Sequence, residues 1–198
     1  ETRLSKAGVD GAVPLVCDVG DELSVRRTVA DAASTLGGLD GVVNCAGVDL
    51  MRPFEEMTTE EWTRVLTIDL TGPMLVCHAA VPLMKPAGRG TIVNIASGAG
   101  LRPLEHRTAY CTAKAGLVMF GKTLAMDLAP YGIRVNAICP GIIDTPMFRG
   151  SWEGGFPHAI GAFRMAPCTL RPRQRVVYLF VAAAWRARPG RPDGRAGG

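Results

Sequence analysis

The sequence predicts an α/β fold built on a doubly wound parallel sheet, and three observations carry that prediction. Short apolar runs rich in Val and Ile alternate with longer segments of helical period along the 198 residues. Within the runs, polar and apolar residues do not alternate, which is the pattern of strands covered by helices on both faces. With 47% hydrophobic and 20% charged residues, the chain can bury one sizeable core and is too apolar for a disordered polymer.

Four runs are predicted strands: Ala12 to Cys17 (AVPLVC), Gly41 to Asn44 (GVVN), Thr91 to Ile95 (TIVNI) and Ile133 to Ile138 (IRVNAI). Between the first two, Val25, Val29, Ala33 and Leu36 keep one face of a helix. The segments from Thr59 to about Leu83 and from Thr108 to Leu128 are long enough for two more. Thr58 or Thr59 with Glu61 close behind marks a helix start, and Gly132 sits where a C-cap belongs. In such a sheet the binding crevice lies beyond the carboxyl ends of the strands. Those ends read Asp18-Val19, Asn44-Cys45-Ala46-Gly47, Ala96-Ser97-Gly98 and Cys139-Pro140-Gly141. Small residues recur there, where a backbone must approach a ligand closely.

The net charge of +4 is unevenly placed. Residues 171–198 hold seven arginines and one acid, so residues 1–170 carry 15 − 17 = −2. We therefore expect two units: residues 1–170, a slightly acidic catalytic domain, and residues 171–198, an atypical Arg/Pro/Gly-rich segment such as a frame change in a GC-rich gene would produce. Nucleic-acid binding through this tail, with Tyr178 and Trp185 stacking, is the minor reading, because those aromatics lie in an apolar run that packs more simply as a helix. No nucleic-acid or membrane partner is expected. The longest apolar run, Val176 to Trp185, is about half of the roughly twenty residues that cross a bilayer. The six cysteines form no CxxC pair and none lies at ligand spacing from His78, His106 or His158, so no metal site is expected. Buried free thiols in a cytoplasmic protein are the simpler account of them.

Tyr110 and Lys114 form Tyr-x-x-x-Lys inside a predicted helix, which puts both side chains on one face a turn apart. A phenol has a pKa of roughly 10, and a neighbouring ammonium favours its phenolate. Thirteen residues earlier, at a strand end, Ser97 can hold a substrate oxygen for the tyrosine to protonate or deprotonate.

With these residues in place, the chain resembles the short-chain dehydrogenase/reductase (SDR) family. The resemblance runs from about Gly11 to about Met147. It includes Cys17-Asp18-Val19, Asn44-Cys45-Ala46-Gly47 where the family has Asn-Asn-Ala-Gly, Ile92 through Ser97, Tyr110-x-x-x-Lys114, and Arg134-Val135-Asn136-Ala137 through Pro140-Gly141 to Thr145. It implies a Rossmann-like fold, NAD or NADP as cofactor, and hydride transfer between that cofactor and a small-molecule alcohol or ketone. Tyr110 is then the general acid/base, Lys114 its partner and a ligand of the nicotinamide ribose, and Ser97 the residue that orients the reacting oxygen. Asp18 and Val19 would meet the adenine, while Asn44, Ala46 and Gly47 would line the adenosine ribose and the cleft floor. Pro140, Gly141, Ile143 and Thr145 would fix the nicotinamide amide. The full-length form is expected to be a homo-oligomer. A 3-oxoacyl thioester, a sugar, a steroid or a simple secondary alcohol all remain open as substrate, with Trp152, Phe156, Phe163 and Met165 as an apolar wall.

Three departures stand out. Asp69 occupies the place of the family's relay Asn, and its carboxylate should oppose the field of Lys114 and raise the tyrosine pKa. No glycine-rich turn precedes Asp18, so the first βαβ portion is expected to be missing, with Glu1 to Lys6 as the remnant of a helix. The last strand is expected to be lost as well, with residues 175–187 forming a helix and the rest disordered. The alternative to an active enzyme is a non-catalytic remnant that binds the dinucleotide poorly.

Overall fold

Why the central runs become strands is visible in their pairing. The computed structural model describes residues 13–143, 145 and 147, and the strand Val176–Leu179. Its elements are α1 (Glu22–Leu36), β1 (Gly41–Asn44), α2 (Thr59–Leu66), α3 (Gly72–Met84), β2 (Gly90–Ile95), α4 (Thr108–Leu128), β3 (Ile133–Ile138) and β4 (Val176–Leu179). The four strands form one parallel sheet in the order β3-β2-β1-β4. Parallel neighbours need crossovers, and α2–α3 and α4 supply two of them.

Val42, Ile92, Ile133 and Val135 from one sheet face are buried together with Val25 and Val29 of α1, Val76, Ala80 and Met84 of α3, and Leu128 of α4. The opposite face, with Val43, Val93, Arg134 and Asn136, is only partly buried or exposed among the described residues. The run Thr59–Ala87 is long and apolar enough to cross a membrane by length and composition alone. Here its α3 half buries Val76, Cys77, Ala80 and Met84 in the core, which gives that apolarity a local use.

The helix ends follow capping chemistry. Thr58 caps α2 in a reciprocal box with Glu61, each side chain accepting from the other's backbone N–H at 3.1 Å. Gly132, at φ 65°, closes the turn that follows α4. A Cβ there would lie 2.2 Å from the Gly88 carbonyl oxygen.

Two expectations are corrected. Residues 13–17 form no strand: Val16 is 99% exposed and no described strand lies beside it, so a run of β-forming residues has no ladder to join. Residues 176–179, expected within a helix, form β4 and pair in register with β1, Gly41 opposite Val176 and Asn44 opposite Leu179. Val-Val-Tyr-Leu is β-branched and aromatic, and a short apolar run takes whichever form tertiary pairing offers. The expectations for residues 1–12, for Trp152, Phe156, Phe163 and Met165, for Cys168 and for the chain beyond 179 lie outside the described residues.

Candidate active site

The carboxyl ends of β1 and β2 and the middle of the α2–α3 run converge on α4. After Leu66 the helical run passes through a π segment, Thr67–Thr71, in which the Gly72 N–H reaches back to the Thr67 carbonyl. One extra residue in a turn changes which side chains face inward. Asp69 sits in this segment and is fully buried. Its Oδ1 accepts from the Val48 N–H at 2.7 Å, and its Oδ2 lies 3.0 Å from Lys114 Nζ. Lys114 also donates to the Ile95 carbonyl at 3.2 Å. Thus the loop after β1, the end of β2, the π segment and α4 are joined through one ammonium and one carboxylate. Gly47 makes this approach feasible, since a Cβ there would stand 3.1 Å from Asp69 Oδ2 and 3.3 Å from Lys114 Nζ.

Tyr110 lies one turn before Lys114 on α4, with the Lys114 ammonium 5.6 Å from its ring centre. Ser97, at the end of β2, caps the turn Gly98–Gly100 by accepting from the Ala99 N–H at 3.1 Å. The Ser97 hydroxyl also acts on the Tyr110 phenol, favouring its ionised form. The serine, tyrosine, lysine and aspartate singled out in the sequence are therefore one cluster.

Its electrostatics differ from the expectation that a lysine lowers the phenol's pKa. Tyr110 is pushed up to about 12, first by burial, with Asp69 and Asp49 adding to the rise while the Ser97 hydrogen bond and the Arg107 guanidinium oppose it. Asp69 acts in the direction its charge requires, and it matches the Lys114 charge at 3.0 Å. Burial also raises the Asp69 carboxyl, against the pull of Lys114 and the Val48 N–H.

The remaining sequence-marked residues separate into groups. Asp18 is exposed at the entrance to α1, where Oδ1 accepts from the Gly20 N–H at 2.9 Å, and Val19 is buried behind it. Asp18 borders an open hollow shared with Asp21, Leu23, Ser24 and Arg27. Asn44 does not line a cleft: its side chain is buried, and Nδ2 donates to Asn94 Oδ1 at 2.8 Å and to Cys77 Sγ. The amide cross-links neighbouring strands instead, because Asn44 and Asn94 are directly paired in the sheet. Ala46 is buried, the Pro140 carbonyl accepts from the Gly98 N–H at 2.8 Å, and open space surrounds the position of a Gly141 Cβ. Ile143 and Thr145 are half-buried.

Residues the sequence did not point out also reach the phenol. Arg107 Nε donates to Asp49 at 3.0 and 3.2 Å, and both charges act on Tyr110. Arg107 stands three residues before Tyr110, a spacing that could have flagged it; Asp49 lies 58 residues from Arg107, and no local pattern joins them.

A family profile described as short chain dehydrogenase matches residues 2–154. The chain belongs to the short chain dehydrogenase family. As a member, it is 46% identical over 147 residues to trans-4-hydroxycyclohexanecarboxylate dehydrogenase of Sinomonas cyclohexanicum, covering 74% of this chain and 56% of the relative. It is 39% identical over 138 residues to D-threitol dehydrogenase of Mycolicibacterium smegmatis, covering 70% and 53%. Among solved structures, an NAD+-bound xylitol dehydrogenase superposes with a TM-score of 0.65 at 38% identity, covering 68% of this chain and 52% of that one. The chain spans about half the length of the curated relatives it matches. As an SDR, it is expected to use a nicotinamide dinucleotide, and the residues present fit the two ends of that group unequally. The hydroxyl, phenol and ammonium of Ser97, Tyr110 and Lys114 suit a nicotinamide ribose beside a reacting oxygen. The N-terminus of α1 does not suit a pyrophosphate, since Asp21 caps it and Glu22 follows.

Proposed function

We propose that this SDR chain carries the catalytic residues of an NAD(P)-dependent oxidoreductase that interconverts a secondary alcohol and a ketone. The observation that carries the reading is the cluster in which Lys114 is held between Asp69 and the Ile95 carbonyl, 5.6 Å from the ring centre of Tyr110, on whose phenol the Ser97 hydroxyl acts. When bound, the nicotinamide donates or accepts hydride. Tyr110 takes the proton of a substrate hydroxyl during oxidation and returns it to the forming hydroxyl during reduction. Ser97 donates to or accepts from that same oxygen and fixes its distance from the phenol. Lys114 donates to the Ile95 carbonyl and pairs ionically with Asp69, and its remaining N–H groups would meet a ribose hydroxyl. Pro140, Gly141, Ile143 and Thr145 would hold the nicotinamide amide, with Asp18 and Val19 near the adenine.

Relatives named for a hydroxycarboxylate and for a tetritol support a small oxygenated substrate with a secondary carbinol. A cytoplasmic homo-oligomer is part of the same reading.

Cofactor titration of the chain with NADH and NADPH, followed by oxidation of a secondary-alcohol panel, tests the reading. Tyr110→Phe should lower turnover by about 10²–10⁴-fold without loss of cofactor binding. No dinucleotide binding at millimolar concentration, together with indifference to Tyr110→Phe, would favour the non-catalytic remnant instead.

A further inference from the structure

Asp69 and Lys114 form an ion pair of 3.0 Å that is closed to solvent, with the two side chains 0% and 5% exposed. The carboxylate accepts from the Val48 N–H and the ammonium donates to the Ile95 carbonyl, so both charges are fixed in place. Together they carry no net charge. An uncharged side chain at position 69 would leave one positive charge there, and a buried charge is screened by salt far less than an exposed one. The oxidised nicotinamide ring is itself a cation, whereas the reduced ring, richer by one hydride, is neutral. A lone ammonium therefore repels the first and has no net charge to act on in the second. The reach of this effect is bounded by the chemistry. Hydride transfer brings the reacting carbons within roughly 3.5 Å, and proton transfer brings the substrate oxygen within roughly 3.2 Å of the phenol oxygen. The nicotinamide ring then lies within about 10 Å of the Tyr110 hydroxyl. Lys114 Nζ is 5.6 Å from the centre of the tyrosine ring and 3.0 Å from Asp69 Oδ2. The Asp69 charge is thus no more than about 22 Å from the nicotinamide, and at an effective dielectric constant of about 20 it changes the affinity for a cation at least about threefold.

We propose that Asp69 sets the preference of the site between the two redox states of the nicotinamide, cancelling the Lys114 charge and so favouring the oxidised, cationic ring over the reduced one. The inference rests on the oxidoreductase reading above. It concerns a ratio of two affinities rather than either affinity alone. Adenine, pyrophosphate and both riboses are common to the two forms, so whatever those parts gain or lose on this chain cancels from the ratio. The charges of Asp49 and Arg107, which also act on Tyr110, are the same whichever form is bound and whichever side chain stands at position 69. Lys114 and Asp49 are the charged groups that act on the Asp69 carboxyl, which burial raises. Protonating that carboxyl removes the same negative charge as a substitution does, so acid should move the ratio in the same direction.

Competition between NAD+ and NADH, followed by ligand-observed saturation-transfer NMR at mildly alkaline pH, reads the ratio without turnover. The proteins are the parent chain, Asp69→Asn and the double variant Asp69→Asn/Lys114→Met. Asp69→Asn should shift the ratio toward NADH by about threefold or more. The double variant, uncharged again at this place, should return to the ratio of the parent even though the loss of Lys114 weakens both probes. A general disturbance of the site would weaken both probes alike and leave the ratio where it was. The parent carries the test without any substitution, since its own ratio should move toward NADH as the pH is lowered and Asp69 takes up a proton. An Asp69→Asn ratio equal to that of the parent, a shift toward NAD+, or a double variant that keeps the ratio of the single one overturns the proposal. If Asp69→Asn does not fold, a parent ratio that stays constant down to the pH of unfolding overturns it. Binding of both probes with an unchanged ratio rejects this proposal alone, whereas binding of neither by the parent rejects the oxidoreductase reading with it.

Discussion

Replacing Asp69 by Asn removes a negative charge from beside the reacting phenol while keeping the shape of the side chain. Lys114 Nζ is 5.6 Å from the Tyr110 ring centre and 3.0 Å from Asp69 Oδ2, so the carboxylate oxygen lies no farther from the ring than the sum, about 8.6 Å. At an effective dielectric constant of about 20, a unit charge at that distance contributes about 2 kcal/mol. That corresponds to a pKa change of about 1.4 for charge centred on the ring. Asp69 raises the Tyr110 pKa, so Asp69→Asn should lower it. A carbon-13 tyrosine NMR titration of the chain reads this directly, with the Tyr110 resonance assigned by its loss in Tyr110→Phe. The other charges facing the phenol, Asp49, Arg107 and Lys114, are unchanged by the substitution. Oxidation needs the phenolate, so the alkaline rise of an oxidation rate should move down in pH by the same amount. Because burial raises the Asp69 carboxyl as well, it becomes neutral at acid pH and the two profiles should converge there, parting as pH rises. Superimposable titrations at alkaline pH would refute the reasoning, since the carboxylate would then exert no field on the tyrosine.

Three further outcomes follow from packing and capping. Gly100→Ala places a Cβ 2.7 Å from the Lys114 carbonyl carbon and oxygen, so α4 or the Ser97 turn must move; thermal unfolding should show a loss of about 1–3 kcal/mol, and an unchanged midpoint would contradict the contact. Thr58→Ala breaks the reciprocal cap of α2 and should cost about 1 kcal/mol by denaturant titration, with Glu61→Gln, which retains the acceptor, costing less; equal losses would mean that charge rather than capping matters. Cys77 is buried, and its thiol is pushed up to about 12 by burial; peptide mapping after alkylation at mildly alkaline pH should find it unmodified until denaturant is added, and labelling in the native state would show that the α3 core opens readily.

The legible parts of this chain are those set by local pattern. Strands β1, β2 and β3 follow from Val- and Ile-rich runs, and the Thr58–Glu61 start and the Gly132 turn follow from residues whose chemistry is spent within a few positions. Tyr110 and Lys114 were readable because a helix converts a spacing of four into a shared face. What failed was what depends on a distant partner. Ala12 to Cys17 has strand composition without a described neighbour, and Val176–Leu179 becomes a strand only because β1 has an edge to pair with. Asn44 reads as a crevice residue from its place at a strand end, yet side-chain direction alternates along a strand and turns its amide to Asn94. The rise of the Tyr110 pKa is legible only in part for the same reason: Asp69 and a lysine one turn away are visible in sequence, whereas the burial that dominates is not.

Two acids and two bases surround one phenol, arranged as two ion pairs, and the pairing itself constrains what the site can do. Each pair joins segments far apart in sequence, Asp69 with Lys114 and Asp49 with Arg107, and all four side chains are largely withdrawn from water. Withdrawn charges are tolerated only when matched, and removing one partner leaves the other at a cost of about 3–5 kcal/mol. The charge of Asp69 is therefore read together with that of Lys114, 3.0 Å away. An Asn beside Lys114 leaves a net positive charge near Tyr110, whereas Asp69 leaves none. In this site the half-buried phenol sits in a nearly neutral environment, and its partial burial is the largest influence on its proton affinity. In the reaction proposed for this chain, a tyrosine so placed holds its proton firmly, which suits a general acid during ketone reduction better than a base during alcohol oxidation near neutral pH.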